Sequence, residues 1–297
     1  ELSKYSLSCD LVLQIGTVCD SDLLEVLYRD HQITIIFHAA AYKHVPLMEL
    51  NIAQAVRNNV FGTLSLVRFA EKFQIDRFVL ISTDKAVRPT NVMGATKRFC
   101  EMILQARAAV AEPMRGPIYS MVRFGNVLGS SGSVVPLFRE QIDLGGPITV
   151  TSSEITRYFM SISEAAELVI QSAALANSGD LFVLDMGEPI KILELAKAMI
   201  RLSGRTIKDS QHPNGDIEIQ ITGLRPGEKL YEELLIGNNV TPSSHRKIMR
   251  AKEEFLDWED LESTLNQLVA AQEKNDQEAM LEIFSSHIEG FDTRVVR

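Results

Sequence analysis

Residues 78–97, with the sequence FVLISTDKAVRPTNVMGATK, decide the fold. The first four residues are apolar and predict a buried strand, and residues 90–110 carry the spacing of a long helix. Between them, Pro89 favours an extended approach to a helix that begins near Asn91. A strand followed closely by a helix is half of a βαβ unit, from which parallel sheets are built.

The same alternation continues on both sides of this stretch. Short apolar runs predict strands and amphipathic runs predict helices. The predicted strands are residues 11–15, 33–38, 78–81, 118–124 and 181–185, and the predicted helices are residues 20–29, 45–73, 90–110 and 164–175. This pattern predicts an α/β protein with a doubly wound, parallel, Rossmann-like sheet.

The last third of the chain is patterned differently. Residues 190–202 predict a helix, residues 217–221 alternate like a strand, and residues 253–288 are acidic and helical. We therefore expect a smaller substrate lobe beside the carboxyl ends of the strands, where ligands of such sheets bind. The predicted core comprises residues 1–128 and 158–189, and the predicted lobe comprises residues 129–157 and 190–297.

The beginning of the sequence lacks a glycine-rich phosphate loop. A dinucleotide-binding sheet normally opens with a strand that runs into such a loop, whose amides bind the pyrophosphate. Here Gly16 stands alone, and residues 1–10 resemble the end of a helix that leads into a later strand. We therefore expect the first strand-loop-helix unit of the sheet to be missing from this sequence.

Composition excludes several classes of protein. A net charge of −9 over 297 residues argues against a nucleic-acid partner, which requires a basic face. No apolar run reaches the roughly 18 residues of a membrane span, and no signal peptide is recognisable. Cys9, Cys19 and Cys100 show neither metal-ligand nor redox spacing. The sequence predicts a soluble, cytoplasmic chain without a metal site.

Chemically active side chains follow the strand at residues 78–81. Thr83, Asp84 and Lys85 lie where an active site of this architecture is expected. Met93 and Lys97 are four residues apart and share one face of the predicted helix. A loop acid, a loop base and a helical lysine can therefore converge on one pocket.

Residues 82–97 closely resemble the active-site segment of the UDP-N-acetylglucosamine 4,6-dehydratases of the CapD-like polysaccharide-biosynthesis family, which are extended short-chain dehydrogenases. Further segments of the family pattern follow in order: residues 38–46 (HAAAYKHVP), 58–63 (NNVFGT), 122–136 (VRFGNVLGSSGSVVP), 156–160 (TRYFM) and 224–230 (LRPGEKL). The resemblance covers nearly the whole chain, and the order of the segments makes it specific.

The resemblance implies a reaction in three steps. Sugar C4 is oxidised, water is eliminated across C5 and C6, and hydride returns to C6, so that the cofactor is unchanged overall. It implies Lys85 as the base at C5, Asp84 as the acid toward O6, Thr83 as a hydrogen-bonding partner at C4, and Lys97 as the residue that holds the nicotinamide ribose. A lysine acting as a base needs a lowered pKa, which burial or the neighbouring Lys97 would supply.

Met93 departs from the wider superfamily, which carries Tyr-x-x-x-Lys at this place. A thioether cannot accept the proton of the C4 hydroxyl, so the resemblance implies that this proton leaves through Asp84 or through a water held by Asp84 and Thr83. The large membrane-anchored branch of the family also carries Met-x-x-x-Lys. Membership of that branch implies retention of configuration at C5, a full-length protein at the cytoplasmic face of the inner membrane, and a homo-oligomer.

The resemblance also assigns residues to the two ligands. For the cofactor these are Thr17, Val18, Ala39, Ala40, Ala41, Lys43, Asn59, Ser82 and Lys97, and for a UDP-sugar they are Lys43, Arg123, Asn126, Ser133, Arg139, Arg225 and Glu228. NAD is favoured over NADP by the resemblance alone. Arg225 is the first candidate for the diphosphate, because a guanidinium binds phosphate oxygens in a bidentate manner. Thr17 stands where the family carries an acidic residue that contacts the adenine.

Two other functions remain open. A nucleotide-sugar epimerase needs only oxidation and re-reduction at C4, and would not require the adjacent acid and base Asp84 and Lys85. A non-catalytic sugar-nucleotide-binding module would fit Met93 and the missing phosphate loop, and would bind cofactor weakly or not at all.

Overall fold

The structure is a computed structural model and describes residues 9–111, 116–234 and 240–293. Its strands are β1 (Ile35–His38), β2 (Arg77–Ile81), β3 (Ile118–Arg123), β4 (Asn126–Val127), β5 (Ile148–Val150), β6 (Thr156–Arg157), β7 (Phe159–Met160), β8 (Asp180–Leu184), β9 (Ile190–Lys191), β10 (Ile207–Lys208), β11 (Ile217–Ile221), β12 (Val240–Pro242) and β13 (Ile248–Ala251). Its helices are α1 (Ser21–His31), α2 (Val45–Glu49), α3 (Ile52–Ala55), α4 (Gly62–Lys72), α5 (Val92–Val110), α6 (Val134–Asp143), α7 (Ile162–Leu175), α8 (Ile192–Leu202), α9 (Trp258–Glu273) and α10 (Gln277–His287). A π-helix, Val56–Phe61, joins α3 to α4, and a 3-10 turn, Asp84–Ala86, follows β2.

The main sheet has the strand order β1-β2-β3-β8-β13-β12 within the described residues. The first four strands are parallel, and β13 and β12 continue the sheet antiparallel. Side chains of β2 alternate between the two faces. Phe78 and Leu80 pack with α4, α5, α9 and α10 on one face, and Val79 packs with α7 on the other. Because helices cover both faces, the predicted doubly wound, Rossmann-like sheet is confirmed for its parallel part.

Helix α5 is the central helix of the core. The Asn91 side chain caps it by accepting a hydrogen bond from the Gly94 amide at 2.8 Å. Every residue from Val92 to Ala106 is buried, because α5 lies between the sheet and α9. Its position fixes where its first turn meets the 3-10 turn.

The predicted strand at residues 11–15 does not form. The segment is exposed and has no regular structure. A strand needs a neighbouring strand to satisfy its backbone groups, and none of the described strands borders this segment. The prediction of a strand from its apolar residues alone was therefore wrong.

The C-terminal part of the predicted lobe belongs to the core. β13 pairs with β8 of the main sheet. Leu261 and Leu265 of α9, together with Phe284 of α10, are buried in the same apolar cluster as α5. The lobe boundary set at residues 190–297 therefore requires a correction from residue 240 onward.

The lobe itself is built from residues 129–157 and from the part of the second predicted segment that precedes residue 240. β10, β11 and β5 form a three-stranded parallel sheet. It packs against α6 and α8 through a separate apolar cluster that includes Phe138, Ile148 and Ile200. Short ladders pair β4 with β7 and β6 with β9 at the places where the chain passes between the core and the lobe. No helix among the described residues is long and apolar enough to cross a membrane.

Candidate active site

A cleft of about 500 Å³ opens at the carboxyl ends of the parallel strands, between the core and the lobe. Its walls come from the segments that follow β1, β2 and β3, from the first turn of α5, from the loop before α6, and from residues 225–232. Ligands of doubly wound sheets bind at this edge.

The turn after β2 carries the predicted acid and base. The Asp84 amide donates to the Phe124 carbonyl at 3.1 Å, which ties the turn to the segment after β3. The Thr83 hydroxyl accepts from the Lys85 amide at 3.3 Å and begins the 3-10 turn. On its other side the turn rests on α5, where a Cβ at position 94 would overlap the Lys85 carbonyl oxygen. Gly94 is therefore required by the close approach of the turn to the helix.

Asp84 lies directly behind the cleft wall and is fully buried. Its Oδ1 accepts from the Thr83 hydroxyl at 2.9 Å and from Lys85 Nζ at 3.0 Å. Its Oδ2 has no hydrogen-bond partner in the described part of the chain, and it lies beside Gly125, which lines the cleft without a side chain. Thr83 and Lys85 line the cleft. Asp84 would therefore exchange protons with a ligand through its hydrogen bonds to these two neighbours.

Lys85 is held by three side chains. Besides Asp84, its Nζ lies 3.4 Å from Asn126 Oδ1 and 3.6 Å from Glu232 Oε1. Burial by itself would lower the pKa of Lys85, but the Asp84 and Glu232 carboxylates outweigh it and raise the pKa. The expected lowering of this pKa is wrong for the unliganded site, where Lys85 is an ammonium.

Glu232 was missed by the sequence predictions. Its side chain is 4% exposed and lines the cleft. Oε1 lies 3.6 Å from Lys85 Nζ and 3.6 Å from Arg157 Nε, whereas Oε2 is buried without a hydrogen-bond partner among the described residues. The one signal in the sequence was its position four residues after Glu228, in a segment that continues the motif at residues 224–230.

The α5 side of the cleft presents Met93 and Lys97, both buried and both in its wall. Burial lowers the pKa of Lys97, and the Cys100 thiol and the Glu101 carboxylate offset only part of this effect. No described side chain accepts a hydrogen bond from Lys97 Nζ. A buried ammonium without an acceptor favours a ligand that brings one.

The predicted cofactor residues separate into two groups. Ala39, Ala41, Lys43, Ser82 and Lys97 line the cleft. The remaining ones, Ala40, Thr17, Val18 and Asn59, are not in its wall.

Asn59 has a structural task. Its amide nitrogen donates to the Tyr42 carbonyl at 3.1 Å and to Thr96 Oγ1 at 3.0 Å, and its oxygen accepts from the Tyr42 amide at 2.8 Å. It holds the loop after β1 against α5 and has no free group for a ligand.

On the substrate side, Lys43, Asn126, Ser133, Arg225 and Glu228 line the cleft. Ser133 Oγ is buried without a hydrogen-bond partner in the part of the chain that is described. Its hydroxyl is therefore available to donate a hydrogen bond to a ligand. Glu228 is already engaged, since it accepts from the Arg225 amide and from Thr151 Oγ1, both at 3.1 Å. Glu228 therefore shapes the loop that presents Arg225.

Two predicted substrate residues do not reach the cleft. Arg139 is exposed on α6, and Arg123 is fully buried beneath the site. The Arg123 guanidinium binds Glu101 through Nε at 2.8 Å and Nη2 at 2.6 Å, and it also binds both oxygens of Glu253. Its hydrogen bonds are used within the protein, so its assignment to substrate binding was wrong.

Residues 225–233 are fastened to the turn that carries Lys85. Thr90 Oγ1 donates to the Gly227 carbonyl at 2.8 Å, and Lys229 Nζ donates to the Val87 carbonyl at 3.0 Å. Arg88 forms a two-pronged ion pair with Glu233. These contacts hold the segment that contributes Arg225 and Glu232 to the cleft wall.

Comparisons with known proteins agree with this architecture. Residues 1–253 match the family described as "Polysaccharide biosynthesis protein". The capsular polysaccharide biosynthesis protein CapD of Staphylococcus aureus is 50% identical over 85% of this chain and 41% of its own length. The probable polysaccharide biosynthesis protein EpsC of Bacillus subtilis is 52% identical over 76% of this chain and 36% of its own length.

Among solved structures, Pen from Bacillus thuringiensis superposes with a TM-score of 0.71 at 30% identity, covering 88% of this chain and 81% of that one. The chain spans about two fifths of the length of the curated relatives it matches.

Proposed function

Because the chain belongs to the polysaccharide biosynthesis protein family, we propose that its cleft catalyses the 4,6-dehydration of a nucleotide sugar. UDP-N-acetylglucosamine is the proposed substrate, the UDP-4-keto-6-deoxy sugar is the product, and configuration at C5 is retained. The observation that carries the proposal is the contact of Asp84 with Lys85, 3.0 Å apart on one turn at the cleft. An elimination of water across C5 and C6 needs a base at C5 and an acid at O6, whereas epimerisation at C4 needs only a group that takes and returns the C4 hydroxyl proton.

NAD is the proposed cofactor. The fit rests on Lys97, whose buried ammonium has no acceptor among the described residues, and on the small side chains of Ala39 and Ala41 in the same wall. Lys97 would bind ribose hydroxyls, and the two alanines leave room for a ring. Bound there, NAD would supply the hydride chemistry, the oxidation of sugar C4 and the later reduction of C6.

The side chains of the turn would move the protons. Thr83 Oγ1 would hydrogen-bond the C4 hydroxyl and pass its own proton to Asp84 Oδ1, with which it already makes a hydrogen bond of 2.9 Å. Asp84, now a carboxylic acid, would return this proton through Thr83 to the departing O6. Met93 has no proton-accepting atom, so this route takes the place of a tyrosine.

Lys85 would remove the C5 proton and later deliver a proton to C5 from its ammonium group, whose hydrogens exchange with those of the solvent. The 4-keto group makes this proton acidic, and Nζ faces the cleft between Asp84 and Asn126. In this role Lys85 must be an amine before it meets C5. The raised pKa favours the ammonium in the unliganded site. The proton that Lys85 carries there, its resting proton, must therefore pass to an acceptor before Lys85 can act as a base.

The diphosphate would bind at Arg225 and Ser133, with Lys43 nearby in the same cleft. Within residues 9–111, 116–234 and 240–293, the Arg225 side chain donates no hydrogen bond and the Ser133 hydroxyl has no partner. Arg225 and Ser133 thus have donors available for phosphate oxygens.

The proposal is tested by incubating the intact protein and NAD with UDP-N-acetylglucosamine and recording proton NMR spectra. We expect a new C6 methyl signal as the substrate disappears. A C4 epimer without a methyl signal would instead establish an epimerase. An unchanged substrate, in a protein that binds UDP, would establish a binding module.

A further inference from the structure

Glu232 has one oxygen oriented toward Lys85 and one without any partner. Oε1 lies 3.6 Å from Lys85 Nζ and 3.6 Å from Arg157 Nε. Oε2 is buried and unpaired among the residues that the structure describes. A carboxylate oxygen buried without a donor is costly, and it is relieved if the group takes up a proton or meets a ligand.

A structural clamp does not account for Glu232. The loop is already fastened to the turn by Gly227, Lys229 and Glu233. Arg157 already has other acceptors, since its Nη1 donates to the Thr156 carbonyl at 2.7 Å and its Nη2 lies 3.5 Å from Glu228. The loop and Arg157 would therefore stay in place without the unpaired carboxylate.

In the proposed reaction, the proton that Lys85 carries before the substrate binds has no acceptor assigned to it. Asp84 receives the proton of the C4 hydroxyl and must keep it for O6. Lys85 receives the C5 proton, but only after losing the proton it carries at rest. Of the three side chains that contact Lys85, Asn126 cannot accept a proton and Asp84 is in use.

We propose that Glu232 stores the resting proton of Lys85 during each turnover, an inference that rests on the proposed dehydration. A Lys85 N–H bond breaks, its electron pair stays on Nζ, and an O–H bond forms on Glu232. The transfer reverses after the product leaves, so no proton is gained or lost. Glu232 acts through Lys85 and does not itself contact the reacting carbons.

The charges around Glu232 make this transfer reversible. Glu232 lies between two cations, Lys85 and Arg157, and each of these cations also contacts a second carboxylate, Asp84 or Glu228. A bound substrate excludes water, and removal of water favours a neutral amine and a neutral acid over an ion pair. The 3.6 Å separation is long for a hydrogen bond, and such contacts commonly shorten in the liganded complex.

The test compares Glu232→Gln with Glu218→Gln, an exposed glutamate of β11 outside the cleft wall, in the intact protein. The first readout needs no turnover. The rate at which an amine-acylating reagent modifies Lys85 is followed against pH by mass spectrometry of the Lys85 peptide. We expect Glu232→Gln to lower the apparent pKa of Lys85 by about one unit, and Glu218→Gln to leave it unchanged.

The second readout is formation of the 4-keto-6-deoxy product across pH. We expect Glu232→Gln to reduce kcat at least tenfold near neutral pH with KM nearly unchanged, and Glu232→Asp to recover part of the loss. Wild-type kcat in Glu232→Gln would overturn the inference, whether or not the Lys85 pKa had moved. A wild-type protein that forms no product refutes the proposed function itself, and the two failures are thereby distinguished.

Discussion

Two groups of buried charges, one in the core and one at the cleft, differ in how completely they are paired. The core cluster consists of Arg98, Glu101, Arg123 and Glu253. The cleft cluster consists of Asp84, Lys85, Arg157 and Glu232. Each contains two cations and two carboxylates.

In the core cluster every carboxylate oxygen has a donor. Both oxygens of Glu101 accept from Arg123, and Ser82 and Arg98 add a further hydrogen bond to each. In the cleft cluster, Asp84 Oδ2 and Glu232 Oε2 have no partner in the described residues. Buried charges that are fully paired stabilise a fold, whereas unpaired polar atoms at a cleft indicate a site that acts on a ligand.

Asp84→Asn should produce the largest effect on the cleft cluster. The amide keeps the shape of the side chain but cannot accept the proton that Thr83 passes on, so we expect kcat to fall roughly 10³- to 10⁴-fold. Turnover is measured by the C6 methyl signal, and UDP affinity by calorimetry serves as the control. Loss of UDP affinity in proportion to kcat would show that Asp84 maintains the site rather than the chemistry.

Arg123→Met should break the core cluster and reduce stability. Removing the guanidinium leaves the two buried carboxylates, Glu101 and Glu253, to share the single cation Arg98 of this cluster, which costs about 3–5 kcal/mol. The free energy of unfolding is measured in urea, with Arg139→Met on the exposed face of α6 as the control, expected within about 0.5 kcal/mol of wild type. A folded Arg123→Met protein that had lost only UDP binding would reinstate Arg123 as a substrate residue.

His38→Gln tests whether an unpaired buried atom always indicates a ligand site, because His38 has such an atom among the described residues but does not line the cleft. Thr63 Oγ1 donates to the Asn59 carbonyl at 2.6 Å, so His38 Nε2 donates to Thr63 at 2.9 Å and Nδ1 is left without a partner among the described residues. Burial, with a smaller contribution from the Lys97 charge, lowers the pKa of His38 from 6.5 to about 3.

The unfolded chain therefore binds this proton more tightly than the folded one. The stability that neutral His38 contributes is fully present above pH 6.5 and is lost as the pH falls toward 3, at about 1.4 kcal/mol per pH unit. We expect wild type to lose about 2 kcal/mol more than His38→Gln between pH 7 and pH 5 in urea unfolding. Equal decreases in the free energy of unfolding of the two proteins between pH 7 and pH 5 would show that folding does not lower the pKa of His38.

Arg225→Ala should have the smallest of these effects. The exposed guanidinium is one of several groups placed to bind phosphate oxygens, so we expect UDP affinity to fall about tenfold, in line with one charge-assisted hydrogen bond. Calorimetry with UDP measures it, and Arg139→Ala is the matched control. Equal affinities for UDP in the two variants would place the diphosphate elsewhere in the cleft.

Much of the core could be predicted from the sequence because its signals are local. The apolar run of β2, the Pro89 and Asn91 that precede α5, and the alternation that follows are all contained in a few residues. The strand expected at residues 11–15 was wrong because a strand also needs a neighbour, which local pattern does not reveal. The assignment of residues 240–293 to the lobe failed for the same reason, since β13 pairs with β8 from about 65 residues earlier in the chain.

The site was predictable where its residues share one turn. Asp84 and Lys85 lie at the cleft because they follow a parallel strand. Arg123 is the last residue of β3, but its side chain is buried in the core cluster, where it meets Glu253 at a separation of 130 residues. Glu232 was missed because its contact with Lys85 depends on how the 225–233 segment packs against the turn.

Proton transfer by Lys85 is tested most directly by measuring deuterium at C5 of the product formed in deuterated water, in wild type and in Lys85→Met. We expect one deuterium at C5 and a C6 methyl group with wild type, and neither product nor exchange at C5 with Lys85→Met, although both proteins bind UDP equally. A Lys85→Met protein that forms the same deuterated product at the wild-type rate would show that the cleft cluster does not move the C5 proton.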